Sequence, residues 1–344
     1  MKVVFRVDSS VSIGAGHLVR CLALAQELQY RDVETFFISQ NNLLPLKEYL
    51  LSSGHKIFDL PQSIPSKFDW KRDSEETLKI LKDLSADILI VDHYQLDKKW
   101  QKSVRKSINK LVVIDDMPGR KLFCDILIDQ NLGRKADHYL PFIEGNPKLL
   151  LGTKFALIRK EFRLNKERAF KRRKKFDGIK SILLTLGGSE SSANYLKIIK
   201  VLSEVELENF SEVKLALGFE LQQDIYSKDF LKSKKLKIRV LDNPLNIYES
   251  MVTSDLCIGY AGSSSWERCV LGLPALLKVK SDNQLFIAKN LEKIGAAKIW
   301  KGEGELKKLV QKMDERDNWV RVVDASLKIC DGKGSNRVAD AILE

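Results

Sequence analysis

The sequence predicts an α/β protein of two similar halves, each a parallel sheet covered by helices. Three observations carry that expectation. Short apolar runs alternate with helical patterns from the first residues onward, as repeated βα units require. The runs are continuously apolar, the pattern of strands buried on both faces. The strand, glycine turn and helix that open the chain then recur after residue 179. At 344 residues, 44% hydrophobic and 30% charged, the chain has the length and composition for two ordinary globular domains.

In the first half the spacing predicts strands at residues 3–7, 34–39, 56–60, 87–91, 111–114 and 125–128, with helices at 18–30, 45–53, 75–84 and 98–107. Gly14-Ala15-Gly16-His17 lies in the turn between the first strand and the first helix. Glycines let backbone approach a bound group, and the free N–H groups of a helix start favour negative charge. His17 stands at the mouth of that turn. The positive end of a helix disfavours imidazolium, so the residue is expected in the form that accepts a proton. The turn matches neither the dinucleotide fingerprint nor a triphosphate loop, and a bare tight connection with a capping histidine is the competing reading. Arg6 and Asp8 tilt the balance, since two charges at the exit of an apolar strand are costly unless paired or used.

Ligands of parallel sheets bind beyond the carboxyl ends of the strands. Polar residues gather there: Asp92-His93-Tyr94, Asp115-Asp116 and Asp129-Gln130-Asn131. Asp115, Asp116 and Asp129 read equally as caps of the next helix or turn, Tyr94 as a ligand contact, and His93 as a packed or surface histidine. Asp115 and Asp116 point to opposite sides of an extended chain, which argues against a shared metal.

Residues 159–178 read as a basic linker between a first lobe, 1–158, and a second, 179–344. From Arg159 to Lys175 there are ten Lys or Arg against two acidic residues, so this segment holds eight of the net +12 charges. A solvated helix or linker accounts for it, with a patch for anions or a membrane surface as the alternative. No aromatic residues interleave with bases, so nucleic acid is not expected as a partner.

The second lobe is predicted to run as strand 180–186, the turn Gly187-Gly188-Ser189, helix 193–204, strands 213–217 and 238–241, short helix 247–251 and strand 255–260. Gly262, Ser263 and Ser264 then lead into a helix, where backbone N–H and side-chain O–H groups make a phosphate cradle without a lysine. Glu267 stands in its first turn as an acceptor for ribose hydroxyls. A serine-rich cap followed by an acidic residue stabilises any helix, and that reading stays open. A strand at 275–279 precedes Asn283 and Gln284, whose amides are expected to contact the sugar. The remainder reads as helices with a short strand near 298–300, and the last helix is expected to cross back over the first lobe.

Five scattered cysteines embedded in apolar patterns are expected as reduced core thiols, and four dispersed histidines give no zinc spacing. The opening methionine runs directly into a strand and no apolar stretch approaches about 18 residues, so a cytoplasmic protein without membrane insertion is expected.

The dense stretches together resemble the UDP-sugar hydrolases of the pseudaminic acid pathway, which remove UDP from UDP-2,4-diacetamido-2,4,6-trideoxy-β-L-altropyranose, and related spore-coat polysaccharide proteins. The carriers in the first lobe are Ile13-Gly14-Ala15-Gly16-His17 with Arg20-Cys21-Leu22, Asp92-His93-Tyr94 with Trp100, and Ile114-Asp115-Asp116 with Asp129-Gln130-Asn131. Those further on are Leu186-Gly187-Gly188-Ser189, Gly262-Ser263 with Trp266-Glu267-Arg268, Gly272-Leu273-Pro274, and Asn283-Gln284. Tyr260-Ala261 departs from the more usual Ala-Gly, and Met117-Pro118-Gly119 from the usual run after the paired aspartates.

The resemblance implies the GT-B architecture, two Rossmann-like lobes facing a central cleft, and inverting hydrolysis of a UDP-sugar with no cofactor or required metal. It implies that His17 activates water, that Gly14, Gly16, Arg20, Tyr94, Gly188, Asn283 and Gln284 bind substrate, and that Gly262, Ser263, Ser264 and Glu267 bind UDP. A glycosyltransferase on the same scaffold and a non-catalytic nucleotide-sugar-binding protein are the alternatives.

Overall fold

A computed structural model describes residues 1–9, 14–40, 44–61, 68–187, 190–218, 221, 236–241 and 246–344. The chain divides into two compact units, Met1–Arg159 with Lys333–Glu344, and Lys160–Gly332.

Unit 1 opens with β1 (Lys2–Val7), α1 (Gly16–Gln29), β2 (Glu34–Ser39), α2 (Leu44–Ser52), β3 (Lys56–Asp59), α3 (Trp70–Leu84), β4 (Ile88–Asp92) and α4 (Lys98–Val104). It continues through β5 (Lys110–Ile114), β6 (Leu122–Phe123), β7 (Ile126–Asp129), β8 (Ile143–Glu144) and β9 (Lys148–Leu151). Among the described residues the main sheet runs β3-β2-β1-β4-β5-β7-β9, every pair parallel. The continuously apolar strands of the sequence are its centre: Val3, Val4 and Phe5 of β1 and Leu89 and Ile90 of β4 are fully buried. Register places Val7 opposite Asp92, so the loop leaving β1 starts beside the end of β4.

Local chemistry sets the helix ends. The Asp69 side chain accepts from the N–H groups of Lys71 and Arg72 to start α3, and Ser85, in the left-handed region at φ 51°, ends it. Asp97 caps α4 through the Lys99 N–H. Strand β9 is absent from the sequence reading because its Lys-Leu-Leu-Leu run has no period that tells strand from helix.

Unit 2 begins with α5 (Lys160–Leu164) and α6 (Lys166–Arg173). These correct the expectation of a linker over 159–178. Phe162 of α5 and Ala169 and Arg173 of α6 are buried, and Arg173 donates to the carbonyls of Met251, Ser254 and Leu271. Part of the basic surplus is spent in ion pairs of Arg168 with Glu249 and Arg172 with Asp255, both at 2.6 Å.

There follow β10 (Ser181–Thr185), α7 (Ser192–Ser203), β11 (Glu212–Leu215), β12 (Lys237–Val240), α8 (Ile247–Thr253), β13 (Leu256–Tyr260), α9 (Ser264–Val270) and β14 (Ala275–Lys278). The unit closes with α10 (Asp282–Lys293), β15 (Lys298–Ile299), α11 (Glu303–Asp314) and α12 (Arg316–Leu327). The parallel sheet runs β12-β11-β10-β13-β14-β15. Strands β10 and β13 approach so closely that a Cβ on Gly259 would stand 2.4 Å from the Thr185 carbonyl oxygen, which only glycine permits.

The last helix, α13 (Gly334–Leu343), belongs to unit 1. Ser335 Oγ brackets Ile158, accepting from its N–H and donating to its carbonyl, each at 3.0 Å. All five cysteines are buried and free of disulfides. Among the described residues no helix is long and apolar enough to cross a membrane, and no three His, Cys, Asp or Glu side chains are grouped to hold a metal ion.

Candidate active site

The site of unit 1 is built at the carboxyl ends of β1, β4 and β5. Gly14 sits at φ 81°, in the left-handed region, and turns the chain into α1, whose first residue is the exposed Gly16. His17 follows on the first turn of the helix and is partly buried. Its Nδ1 lies 2.5 Å from Asp92 Oδ1. Arg20, one turn on, grips the same carboxylate from both sides, with Nε 2.6 Å from Oδ2 and Nη2 2.6 Å from Oδ1.

A carboxylate only accepts, so His17 Nδ1 carries the proton, and Nε2 is the ring nitrogen that takes one up. Among the described residues nothing occupies Nε2. Burial works to raise the pKa of Asp92, but the Arg20 guanidinium and His17 outweigh it and hold the group ionised, well below the usual carboxylate range.

The network extends to Tyr94. Arg20 Nη1 donates to Asp116 Oδ2 at 2.8 Å, and the Tyr94 phenol donates to Asp116 Oδ1 at 2.5 Å. The Tyr94 ring stands edge-on to His17, with centroids 4.8 Å apart, while the Arg120 guanidinium lies 5.5 Å from its centre. Arg120 also donates to the Tyr94 carbonyl and pairs with Asp115 at 3.0 Å. His17, Arg20 and Tyr94, singled out on sequence, therefore share one hydrogen-bonded patch. Asp92 and Asp116 are the residues that join them, and for Asp116 the sequence offers a helix or turn cap equally.

Asp8 is not part of this patch. With Arg6, Asp73 and His93 it forms a buried network: Arg6 pairs with Asp8 at 2.5 Å and Asp73 at 2.6 Å. His93 accepts from the Gln95 N–H at Nδ1 (3.2 Å), so its Nε2 proton goes to Asp8 Oδ2 (3.1 Å). The packed-histidine reading holds for His93, and the charges leaving β1 are paired.

In unit 2, α9 follows β13 through Ala261-Gly262-Ser263. Backbone bonds of the turn begin with Ser265 N–H to the Gly262 carbonyl and Trp266 N–H to that of Ser263, so the amides before Ser265 start without a helical acceptor. Ser263, the cap residue, makes no side-chain bond to the helix, contrary to the serine-cap reading. Ser264 Oγ accepts from Arg268 Nη1 at 3.2 Å, and Glu267 is buried in the first turn. A Cβ on Gly262 would meet nothing within 4 Å, so open space borders this backbone.

Asn283 and Gln284 stand in the first turn of α10 and shape its start. Asn283 Oδ1 accepts from Ser281 Oγ (2.5 Å) and from the Gln284 N–H (2.9 Å), and Gln284 Oε1 accepts from the Lys280 N–H (2.9 Å). Both side-chain carbonyl oxygens thus serve the start of the helix, beside the sugar contact expected of these residues. Gly188 lies outside the described residues.

No family model matches the chain. A protein of Methanocaldococcus jannaschii is 27% identical over 289 residues, 83% of this chain and 57% of that protein, so the chain spans little more than half of that relative. The Bacillus subtilis spore coat polysaccharide biosynthesis protein SpsG is 21% identical over 89% of this chain and 85% of its own. Among solved structures, MurG of Acinetobacter baumannii superposes with a TM-score of 0.70 at 15% identity, covering 99% of both chains. A Staphylococcus aureus MnaA–UDP structure gives 0.66 at 12% identity, over 99% of this chain and 95% of that one. These likenesses identify the fold as the expected GT-B class of two Rossmann-like lobes. The UDP-2,4-diacetamido-2,4,6-trideoxy-β-L-altropyranose hydrolase of Campylobacter jejuni is 30% identical over 210 residues, 60% of this chain and 68% of the enzyme, and it is to the family of that hydrolase that the chain belongs.

Proposed function

We propose that the protein hydrolyses a UDP-linked diacetamido-trideoxy sugar at the anomeric C–O bond, releasing UDP and a free sugar for synthesis of a nonulosonic acid such as pseudaminic acid. The observation that carries this reading is the 2.5 Å contact of His17 Nδ1 with Asp92, which commits that nitrogen as a donor and leaves Nε2 as the base. In the step itself, His17 Nε2 takes a proton from water as its oxygen bonds to the anomeric carbon. The bond from that carbon to the phosphate oxygen breaks with its electron pair leaving on UDP, and the sugar inverts. Asp92, ionised and gripped by Arg20, stabilises the imidazolium that forms, the task a buried carboxylate performs in hydrolase triads.

Tyr94, held by Asp116, is assigned to the sugar, with the NH₂ groups of Asn283 and Gln284. Gly262, Ser263 and Ser264 receive the diphosphate on neutral N–H and O–H donors, and Glu267 accepts from the ribose hydroxyls. The name of the Campylobacter relative supports sugar-nucleotide chemistry, and that of the Bacillus relative a place in polysaccharide biosynthesis. MurG and the other transferases of like fold support a second reading, in which His17 deprotonates an acceptor hydroxyl. Incubation with the UDP-sugar and no acceptor separates the two. Hydrolysis gives UDP and free sugar in equal amounts, with the inverted anomer first in the NMR spectrum; a transferase leaves the donor intact.

A further inference from the structure

Unit 2 carries a second group of polar side chains on the carboxyl edge of its sheet, contributed by three neighbouring strands. Glu190 follows β10, Tyr260 ends β13, and Lys280 lies two residues beyond β14. Glu190 is buried, and its Oε1 accepts from the Ser191 N–H at 2.9 Å and Asn194 Nδ2 at 2.7 Å, while Oε2 accepts from the Tyr260 phenol. Burial works to raise its pKa, but the phenol, the Ser191 amide and Asn194 outweigh it and hold the carboxyl at about 2. The group is an anion already supplied with hydrogen bonds.

Lys280 is placed against that anion without being consumed by it. Its Nζ is 3.5 Å from Glu190 Oε2 and 5.9 Å from the centre of the Tyr260 ring, and the side chain is half-exposed. A charge-assisted N–H···O bond closes to about 2.7–2.9 Å, so this one is slack, and an ammonium has three N–H donors. Among the described residues, the neighbouring cations Arg268 and Lys278 have partners of their own. Arg268 is buried and donates to the Tyr260 carbonyl (3.0 Å), Ser264 Oγ and Ser265 Oγ, and Lys278 lies 5.0 Å from the Trp300 ring centre. The turn that leaves β13 on the same edge offers an anion only neutral donors. A diphosphate leaving group gathers negative charge as the sugar bond breaks, and neutral donors alone do not cancel it.

On the basis of the sugar-nucleotide reading above, we propose that Lys280 is the cation that meets the diphosphate, and that Glu190 competes with the diphosphate for the same ammonium. The Tyr260 phenol fixes the carboxylate and so sets how far the lysine has to swing. Nucleotide affinity in this chain is then a balance between a bound carboxylate and an arriving phosphate.

Isothermal titration with UDP on the full chain tests this with three variants. Lys280→Met is expected to weaken UDP binding by about 10- to 100-fold, the range for losing a charged hydrogen-bond partner. Lys280→Arg is expected to restore most of it, and Glu190→Gln, which keeps the geometry and removes the competing charge, to tighten binding several-fold. Wild-type affinity in Lys280→Met, an Arg variant as weak as the Met variant, or a Gln variant that weakens binding would each overturn the proposal. Absence of UDP binding by the wild-type protein would instead remove the sugar-nucleotide reading, and this proposal with it.

Discussion

At the scale of single residues the site turns on how one carboxylate is shared. Asp92 Oδ1 receives both the His17 Nδ1 proton and an Arg20 N–H, so the ring is oriented and its tautomer fixed by a group whose charge is already matched. Replacing His17 with Ala is expected to lower kcat by roughly 100-fold or more while UDP binds as before. Asp92→Asn presents an amide that can donate to Nδ1 and so favours the wrong tautomer; kcat is expected to fall by at least about 100-fold with KM little changed. Steady-state kinetics beside UDP titration check both, and a loss confined to KM would count against the base assignment. His17 and Tyr94 are legible in the sequence because each stands just past a buried strand of a parallel sheet, where ligands bind. The charges of Arg6 and Asp8 tilt the reading of the glycine turn away from a bare connection. Asp116 is not legible, since an aspartate past a strand end reads equally as a cap, and nothing in the local sequence pairs Asp92 with His17. Their partners His17 and Arg20 lie 72 to 96 positions away, beyond any local spacing rule.

At the scale of elements, register converts that sequence distance into contact. Strands β1, β4 and β5 are neighbours in one parallel sheet, so the first residues beyond each meet on one edge whatever loops intervene. Apolar continuity makes the strands of such a sheet visible, which is why β1, β2, β4, β5 and β7 were readable to within a residue or two. It fails at β9, whose leucine run fits either period, and at α5 and α6. There a charge count suggests solvent, but Phe162, Ala169 and the aliphatic stem of a buried arginine supply the packing face. The return of α13 to unit 1 rests on similarly few groups. Ser335 satisfies both backbone groups of Ile158, and a Cβ on Gly334 would stand 2.2 Å from the Ala156 carbonyl oxygen. Ser335→Ala is expected to cost about 1–3 kcal/mol, the range for leaving a buried backbone group unmet. Gly334→Ala is expected to undock the helix. Denaturant melts measure the first, and hydrogen exchange at the Ile158 amide reads the second as lost protection.

At the scale of the whole molecule, the pH response of stability is set by buried groups in unit 1 that pull in opposite directions. Burial lowers the His55 pKa to about 4, the imidazole being held by Thr35 with Nε2 left unpartnered among the described residues. The unfolded chain therefore takes up that proton first, and His55 removes stability as pH falls from about 6.5 to about 4. Burial raises the Asp115 and Asp129 carboxyls to about 6, against the opposing pull of Arg120 and Arg134. Here the folded state keeps its protons longer, so these two remove stability as pH rises from about 4 to about 6. Glu190 in unit 2, held at about 2, contributes stability that is complete above the unfolded value and is lost only in stronger acid. Between pH 4 and 6 the wild-type profile is therefore a partial cancellation within unit 1. His55→Gln is expected to expose the carboxylates, giving a protein whose stability falls as pH rises across that window. Asp129→Asn is expected to tilt the profile the other way, each by about 1–3 kcal/mol across the window. Urea unfolding of the three proteins at half-unit pH steps measures these slopes, and parallel curves would show that burial does not govern the titration of these groups.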